Sequence, residues 1–245
     1  MTCLHSAVSP RNAENVTIAN LTGQPSEKRS SIGSMTNWAF HERRHLVQLM
    51  RDLGPEAATL CAGWTTKDLA AHIAIRERRP DAALGIVAPF VARHTRNVMD
   101  RYANKPWKEL LHLVEEGAPL WNPLGLPNLD SAANLFEMFV HHEDVRRALP
   151  DWKPRALHPE LETALWDRMA KNGKLMWRRA KVGIVLDNGT SQIVVKNSPA
   201  GTGTVMISGS TADLVLLTYG RSEVHVTYSG NDLEVAIAKS TNCAV

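Results

Sequence analysis

The hydrophobic pattern of this 245-residue chain changes period once, near residue 180, and the change limits the folds open to it. Before that point apolar residues recur at spacings of three and four, the period of helices that bury one face. After it come short β-branched runs: Val182-Gly-Ile-Val-Leu186, Gln192-Ile-Val-Val195, Thr204-Val-Met-Ile207 and Val224-His-Val-Thr-Tyr228. A helical portion followed by a small mixed portion reads as α+β.

In the first portion Trp38, His41, His45, Leu46, Leu49 and Leu53 predict a helix over 37–53, stopped by Gly54-Pro55. A second helix begins near Thr65, where Thr65 and Asp68 resemble a capping box with Asp in place of Glu or Gln. It runs to about Arg79, before Pro80. Further helices are expected over 89–102, after Pro106, over 131–148 with Leu135, Phe139 and Val145 inward, and over 158–179. Gly117–Pro127, with three prolines and two glycines, reads as a long irregular connection. Four principal helices with one long connection suggest a four-helix bundle, an architecture that builds metal sites from facing helices. In the second portion Asp187-Asn188-Gly189 signals a hairpin, and 211–219 and 232–239 read as helices. The expected division is a disordered tail over 1–35, a helical bundle over 36–150, and a linker helix with a small α+β domain over 151–240.

Composition removes several functions. Net charge is +3 and the basic residues are scattered, so no nucleic-acid footprint is expected. No apolar run reaches about eighteen residues, so no membrane span is expected. The first thirty-four residues are rich in Ser, Asn, Thr and Gly and lack an apolar signal core, which predicts disorder. Met35, just before the helical patterning, is a second candidate start. Cys3, Cys61 and Cys243 cannot form a disulfide framework, which fits a reducing cytoplasm. Cys61, just ahead of a helix start, reads as a small buried hydrophobe or a reactive thiol.

One constellation carries chemistry. Glu137 and His141 are four apart on a helix and can reach one ion. His72, on another helix, would complete a face of two histidines and one carboxylate with coordination positions left open, as a catalytic metal needs. His72 and Glu137 stand among apolar residues, where an unpaired carboxylate is costly and a metal would remove the cost. His142 lies off this face and reads as a supporting or surface group. No carboxylate is placed to join His41 and His45, since Glu42 points about a hundred degrees away, and they read as packing or surface residues. Asp144, Arg146 and Arg147 read as a charged helix end. Arg76, one turn past His72, either holds a carboxylate of a ligand or lies on the surface.

Gly63-Trp64-Thr65-Thr66-Lys67-Asp68-Leu69-Ala70-Ala71-His72, followed by Glu137-x-x-x-His141, resembles the DinB-like metal-binding superfamily. More narrowly, it is similar to the branch related to mycothiol-dependent maleylpyruvate isomerase. Ile75–Ala83 and Phe139–Arg147 resemble an actinobacterial metal-binding subgroup of that branch. The resemblance covers about Asn37 to Lys239. It implies a DinB-like four-helix bundle carrying a divalent ion, usually zinc, on His72, Glu137 and His141, with mycothiol as the thiol cofactor. It implies a small C-terminal α+β domain reminiscent of sterol-carrier folds, in which Arg221 ends a helix near the cleft and contacts an anionic substrate or the thiol. The same arginine also reads as a cation closing its helix. The expected activity is a thiol-dependent isomerase or transferase acting on a small electrophile, with a metal-dependent hydrolase as a variant. A non-catalytic metal or small-ligand binding protein is the reading from another class.

Overall fold

The computed structural model describes residues 36–82, 92–119, 121–122 and 127–241. The expected tail over 1–35, Cys3, Cys243 and the segments 83–91 and 123–126 lie outside the described residues. Helix α1 spans Trp38–Leu53 and starts where the Asn37 side chain accepts the Phe40 N–H at 3.1 Å. Helix α2 spans Thr66–Arg78 behind the expected capping box: Asp68 accepts the Thr65 N–H at 2.9 Å, and the Thr65 hydroxyl accepts the Asp68 N–H. Each such bond satisfies an N–H that the first helical turn leaves unpaired. Then follow α3 (Ala92–Ala103), α4 (Trp107–Glu116) and the long α5 (Pro127–Arg146). Helix α1 packs along α5 and against α4, while α2 packs against α3 and α4.

The buried stripe of α1 is not the one its apolar spacing suggests. His41 and His45 are exposed, and Ala39, Glu42, Arg43, Leu46, Val47 and Met50 are buried. The stripe turns by one residue because two charged side chains go inside with partners. Arg43 pairs with the buried Glu77 and donates to the Val114 carbonyl at 2.8 Å. Glu42 takes both ends of the Arg155 guanidinium, at 2.9 and 2.6 Å, and lies 2.9 Å from His142 Nδ1. A buried charge is tolerable only with such pairing.

Past α6 (Pro159–Met176) the chain enters a four-stranded sheet of β1 (Gly183–Asp187), β2 (Gln192–Lys196), β3 (Thr204–Gly209) and β4 (Val226–Ser229), in the order β2-β1-β3-β4. Strand β1 pairs antiparallel with β2 and parallel with β3, and β3 pairs antiparallel with β4. The predicted hairpin forms, but residues 188–191 make it, with Asn188 Oδ1 accepting the Thr190 and Ser191 N–H groups at 3.0 and 2.9 Å. Helices α7 (Thr211–Thr218) and α8 (Asp232–Lys239) complete this portion. Among the described residues no helix is long and apolar enough to cross a membrane.

Helix α5 explains how the portions meet. Met138 and Val145 join the core of Leu46, Met50, Leu69, Ile73 and Leu110. Leu135, Phe136, Phe139 and Val140 join a second core with Leu165, Met169, Ile184, Val205 and Leu214. A helix buried on both sides reads as apolar nearly all round rather than amphipathic. The described residues form one compact unit.

Candidate metal centre

One polar stripe interrupts the apolar surface of α5. Asn134, Glu137, His141 and Asp144 follow one another at spacings of three, four and three, so they form a single line down the helix. Helix α2 faces that line with His72 and Arg76, again one turn apart. Glu137 Oε1 is the meeting point: His72 Nε2 and His141 Nε2 each lie 3.3 Å from it, and Arg76 Nε lies 3.4 Å away. The Arg76 guanidinium also donates to the Asn134 side-chain oxygen. Trp64, at the entry to α2, covers the His72 ring at 5.2 Å between centroids. The three expected ligands are 12%, 19% and 9% exposed at His72, Glu137 and His141, so the site is shielded yet reachable from solvent.

The electrostatics hold two of the three groups ready for a cation. Burial raises the proton affinity of the Glu137 carboxyl, but His141, His72 and Arg76 outweigh it and hold its pKa well below the usual range. Burial pushes His72 down, only partly offset by Glu137, which favours a neutral imidazole with a lone pair to give. Burial pushes His141 down too. There Asp144, Cys61 and Glu137 outweigh it and raise the pKa well above its usual value. Ligand atoms of His72, Glu137 and His141 lie within 4.8 Å of one another. Ligands bound tetrahedrally at about 2.0–2.1 Å stand about 3.3 Å apart, so the Glu137–histidine separations fit a zinc-sized ion.

Cys61, His141 and Asp144 also lie within 4.8 Å of one another. That group is better understood as support for the first. The two groups use different nitrogens of one imidazole: Nε2 faces Glu137, and Nδ1 lies 3.0 Å from Asp144 Oδ2. A histidine giving the Nε2 lone pair to an ion keeps its proton on Nδ1, where a carboxylate accepts it. Asp144 is fully buried and has further partners. Arg221 Nε and Nη2 donate to its two oxygens at 2.8 and 2.6 Å, and the Cys61 thiol donates to Oδ2 at 3.3 Å. The backbone joins in, since the Leu60 N–H donates to the Asp144 carbonyl at 3.0 Å. The Cys61–Trp64 turn that presents the thiol closes with a 2.9 Å bond from the Trp64 N–H to the Cys61 carbonyl, with Gly63 at φ 77°. Only glycine takes that conformation without strain.

Arg221 arrives by a similar device at the end of α7. The Gly220 N–H donates to the Leu217 carbonyl at 2.9 Å and the Arg221 N–H to the Leu216 carbonyl at 3.0 Å, with Gly220 at φ 77°. This is a Schellman close, and it turns Arg221 back over the helix end. Asp144 and Arg147 do stand at the charged end of α5, but both are buried there. The end of α5 is covered, and Arg147 is buried, donating to Glu143 at 2.8 Å and Asp213 at 2.6 Å. His142 is likewise buried against Glu42. Sequence reasoning passed over Asp144 and Tyr219 as site residues. The spacing of three between His141 and Asp144 was the available signal for the first.

Beside Asp144 a cleft of about 320 Å³ opens between Leu60–Ala62 and Tyr219–Glu223, with Cys61, Tyr219 and Arg221 on its walls. That volume suits a small ligand. Burial, aided by the nearby Glu137 charge, pushes the Tyr219 phenol up, so it stays protonated and is a donor.

No family model matches the sequence, and no curated protein matches it. In three dimensions the chain is similar to the crystal structure of the mycothiol-dependent maleylpyruvate isomerase, with a TM-score of 0.52 and 17% identity over 78% of this chain and 90% of that one. A mutant of that enzyme with one histidine changed to alanine gives a TM-score of 0.51 and 18% identity over the same shares. At such identity the likeness is one of fold.

Proposed function

We propose that the chain is a divalent-metal-binding protein, with zinc as the ion, that works as a mycothiol-dependent enzyme. In this reading it adds a small thiol to a small electrophilic substrate, transfers it, or isomerises the adduct. The observation that carries the reading is the convergence of His72 and His141, from two helices, on one oxygen of Glu137. The reading places the centre in a DinB-like four-helix bundle over 36–150, ahead of a linker helix and small α+β domain over 151–240, in a cytoplasmic protein. The fold likeness to an enzyme named for its dependence on mycothiol supports that thiol as the cofactor.

When bound, the ion supplies positive charge that lowers the proton affinity of a thiol and polarises an electrophile's oxygen. The chain's own groups prepare for it. Once His141 gives up its Nε2 proton, His72, Glu137 and His141 would offer two neutral nitrogens and one negative oxygen, which leaves a divalent ion with net positive charge. Arg76 steadies Glu137, and Arg76 with Arg221 biases the surroundings toward an anionic thiol or substrate. Trp64 shields one side of His72. Tyr219, its ring packed against Phe136 and its phenol within the field of Glu137, keeps its proton.

One observation favours a second reading, a non-catalytic metal or small-ligand binding protein. The Arg221 guanidinium already serves Asp144 and the Tyr219 carbonyl, and Arg76 serves Glu137 and Asn134. Elemental mass spectrometry of the purified protein beside a His72→Ala, Glu137→Ala, His141→Ala variant tests the ion. About one equivalent in the wild type and none in a folded variant is expected, and two equally empty proteins after metal re-addition would sink the proposal. Metal- and thiol-dependent consumption of an electrophile then identifies an enzyme, whereas ligand-induced stabilisation without turnover identifies a binding protein.

A further inference from the structure

We propose that Asp144 and Arg221 are positioning residues for the metal centre, so that the C-terminal portion sets how tightly the helical portion holds its ion. The inference rests on the assignment of the ion to His72, Glu137 and His141. Asp144 stands one helical turn from His141 with its carboxylate fully buried. His141 Nδ1 lies 3.0 Å from Oδ2, and a carboxylate at that position fixes the proton on Nδ1, turns the ring, and leaves the Nε2 lone pair for the ion. A buried carboxylate cannot hold that post alone, because its charge would be uncompensated.

Arg221 supplies the compensation. Its guanidinium meets both oxygens of Asp144 through Nε and Nη2, the two-point geometry a lysine cannot reproduce. A third bond, from Nη1 to the Tyr219 carbonyl at 2.6 Å, ties the fork to the close of α7. The chain of contacts runs from the end of α7 through Arg221, Asp144 and His141 to the ion. Arg221 lies 77 residues beyond Asp144 in sequence and touches none of the three ligands through a hydrogen bond the structure records. Its first role is therefore exerted through Asp144, and loss of Arg221 is expected to weaken the ion before it affects anything bound in the cleft. Cys61, whose thiol donates to the same Oδ2 and lies 3.6 Å from Arg221 Nη2, and the Leu60 N–H, which donates to the Asp144 carbonyl, also hold this aspartate, so its position does not depend on Arg221 alone.

The test is the binding of cobalt(II), a spectroscopic stand-in for zinc, to full-length protein stripped with chelator. Wild type, Asp144→Asn and Arg221→Lys are compared, with folding checked by circular dichroism. Asp144→Asn removes charge without removing volume, and Arg221→Lys keeps charge without the fork, so at least one folded variant is expected. In protein labelled with nitrogen-15 at histidine, the His141 Nδ1–H should give a low-field, slowly exchanging resonance when zinc is bound. The expected result is affinity lowered by about 10–100-fold in Asp144→Asn and by a smaller factor in Arg221→Lys, with that resonance lost or moved upfield. Wild-type affinity and an unchanged resonance in folded variants would overturn the inference while leaving the metal centre intact. A wild type that binds no cobalt would instead remove the assignment on which the inference rests.

Discussion

Protonation at single residues governs the centre. His141 carries a raised pKa because Asp144, Cys61 and Glu137 outweigh its burial, so without an ion it keeps both ring protons near neutrality. An ion must displace the proton on Nε2, and metal affinity should therefore fall as pH is lowered, with about one proton released per ion. Calorimetry in buffers of different ionisation enthalpy checks this, and a proton count of zero would argue against it. In the ion-free protein the sign for stability is the opposite. A raised pKa contributes stability that is complete below the unfolded value and is lost as pH rises through the folded one. Glu42 works at the acid end. Burial raises its pKa, but His142 and Arg155 outweigh burial and bring it to about 2 from the usual 4.5. Its contribution is complete above 4.5 and is lost as pH falls toward 2. Arg155→Ala should cost about 3–5 kcal/mol in urea unfolding and move acid unfolding to higher pH, since the carboxylate then stays buried with one partner fewer. Glu137 and His141 were legible as a pair because a spacing of four is a local property of a helix. Their meeting with His72, 65 residues from Glu137, is a tertiary matter. Asp144 was not legible: beside Arg146 and Arg147 it looks like a helix end, and only α7, folded over it, makes it internal.

Among the elements, boundaries were more legible than faces. Thr65 and Asp68 announced α2, Pro80 its end, and the β-branched runs marked all four strands, because caps, breakers and branching act through neighbours in sequence. The inward face of α1 was not legible, because apolar spacing cannot reveal that Glu42 and Arg43 are buried with partners on other elements. The close of α7 makes a prediction of its own. Gly220 sits at φ 77°, a conformation that costs other residues about 1–2 kcal/mol. Gly220→Ala should lower stability by about 1 kcal/mol in thermal or urea unfolding, and Gly220→Asn, whose side chain tolerates that region, by less. Equal stability of all three proteins would show that the turn does not require glycine.

Over the whole molecule the two-sided burial of α5 is the organising fact, and it was the least legible. Sequence periodicity marks α5 as a helix with an inward face, yet the helix has two, and which partner covers each is a tertiary matter. A fragment ending at residue 150 would bare Leu135, Phe136, Phe139 and Val140, a patch of the kind soluble proteins rarely leave exposed. Such a fragment should bind a hydrophobic dye and unfold without a sharp transition, and a cooperative melt with no dye binding would refute this. The same helix carries Glu137 and His141 on its remaining polar line. In descent or in engineering, then, the sheet and the helical layer cannot be exchanged as independent modules. A replacement for either would have to fit the far side of a helix it shares with the other, and a lineage that trims its sheet portion must rebuild the wall behind its own ligands.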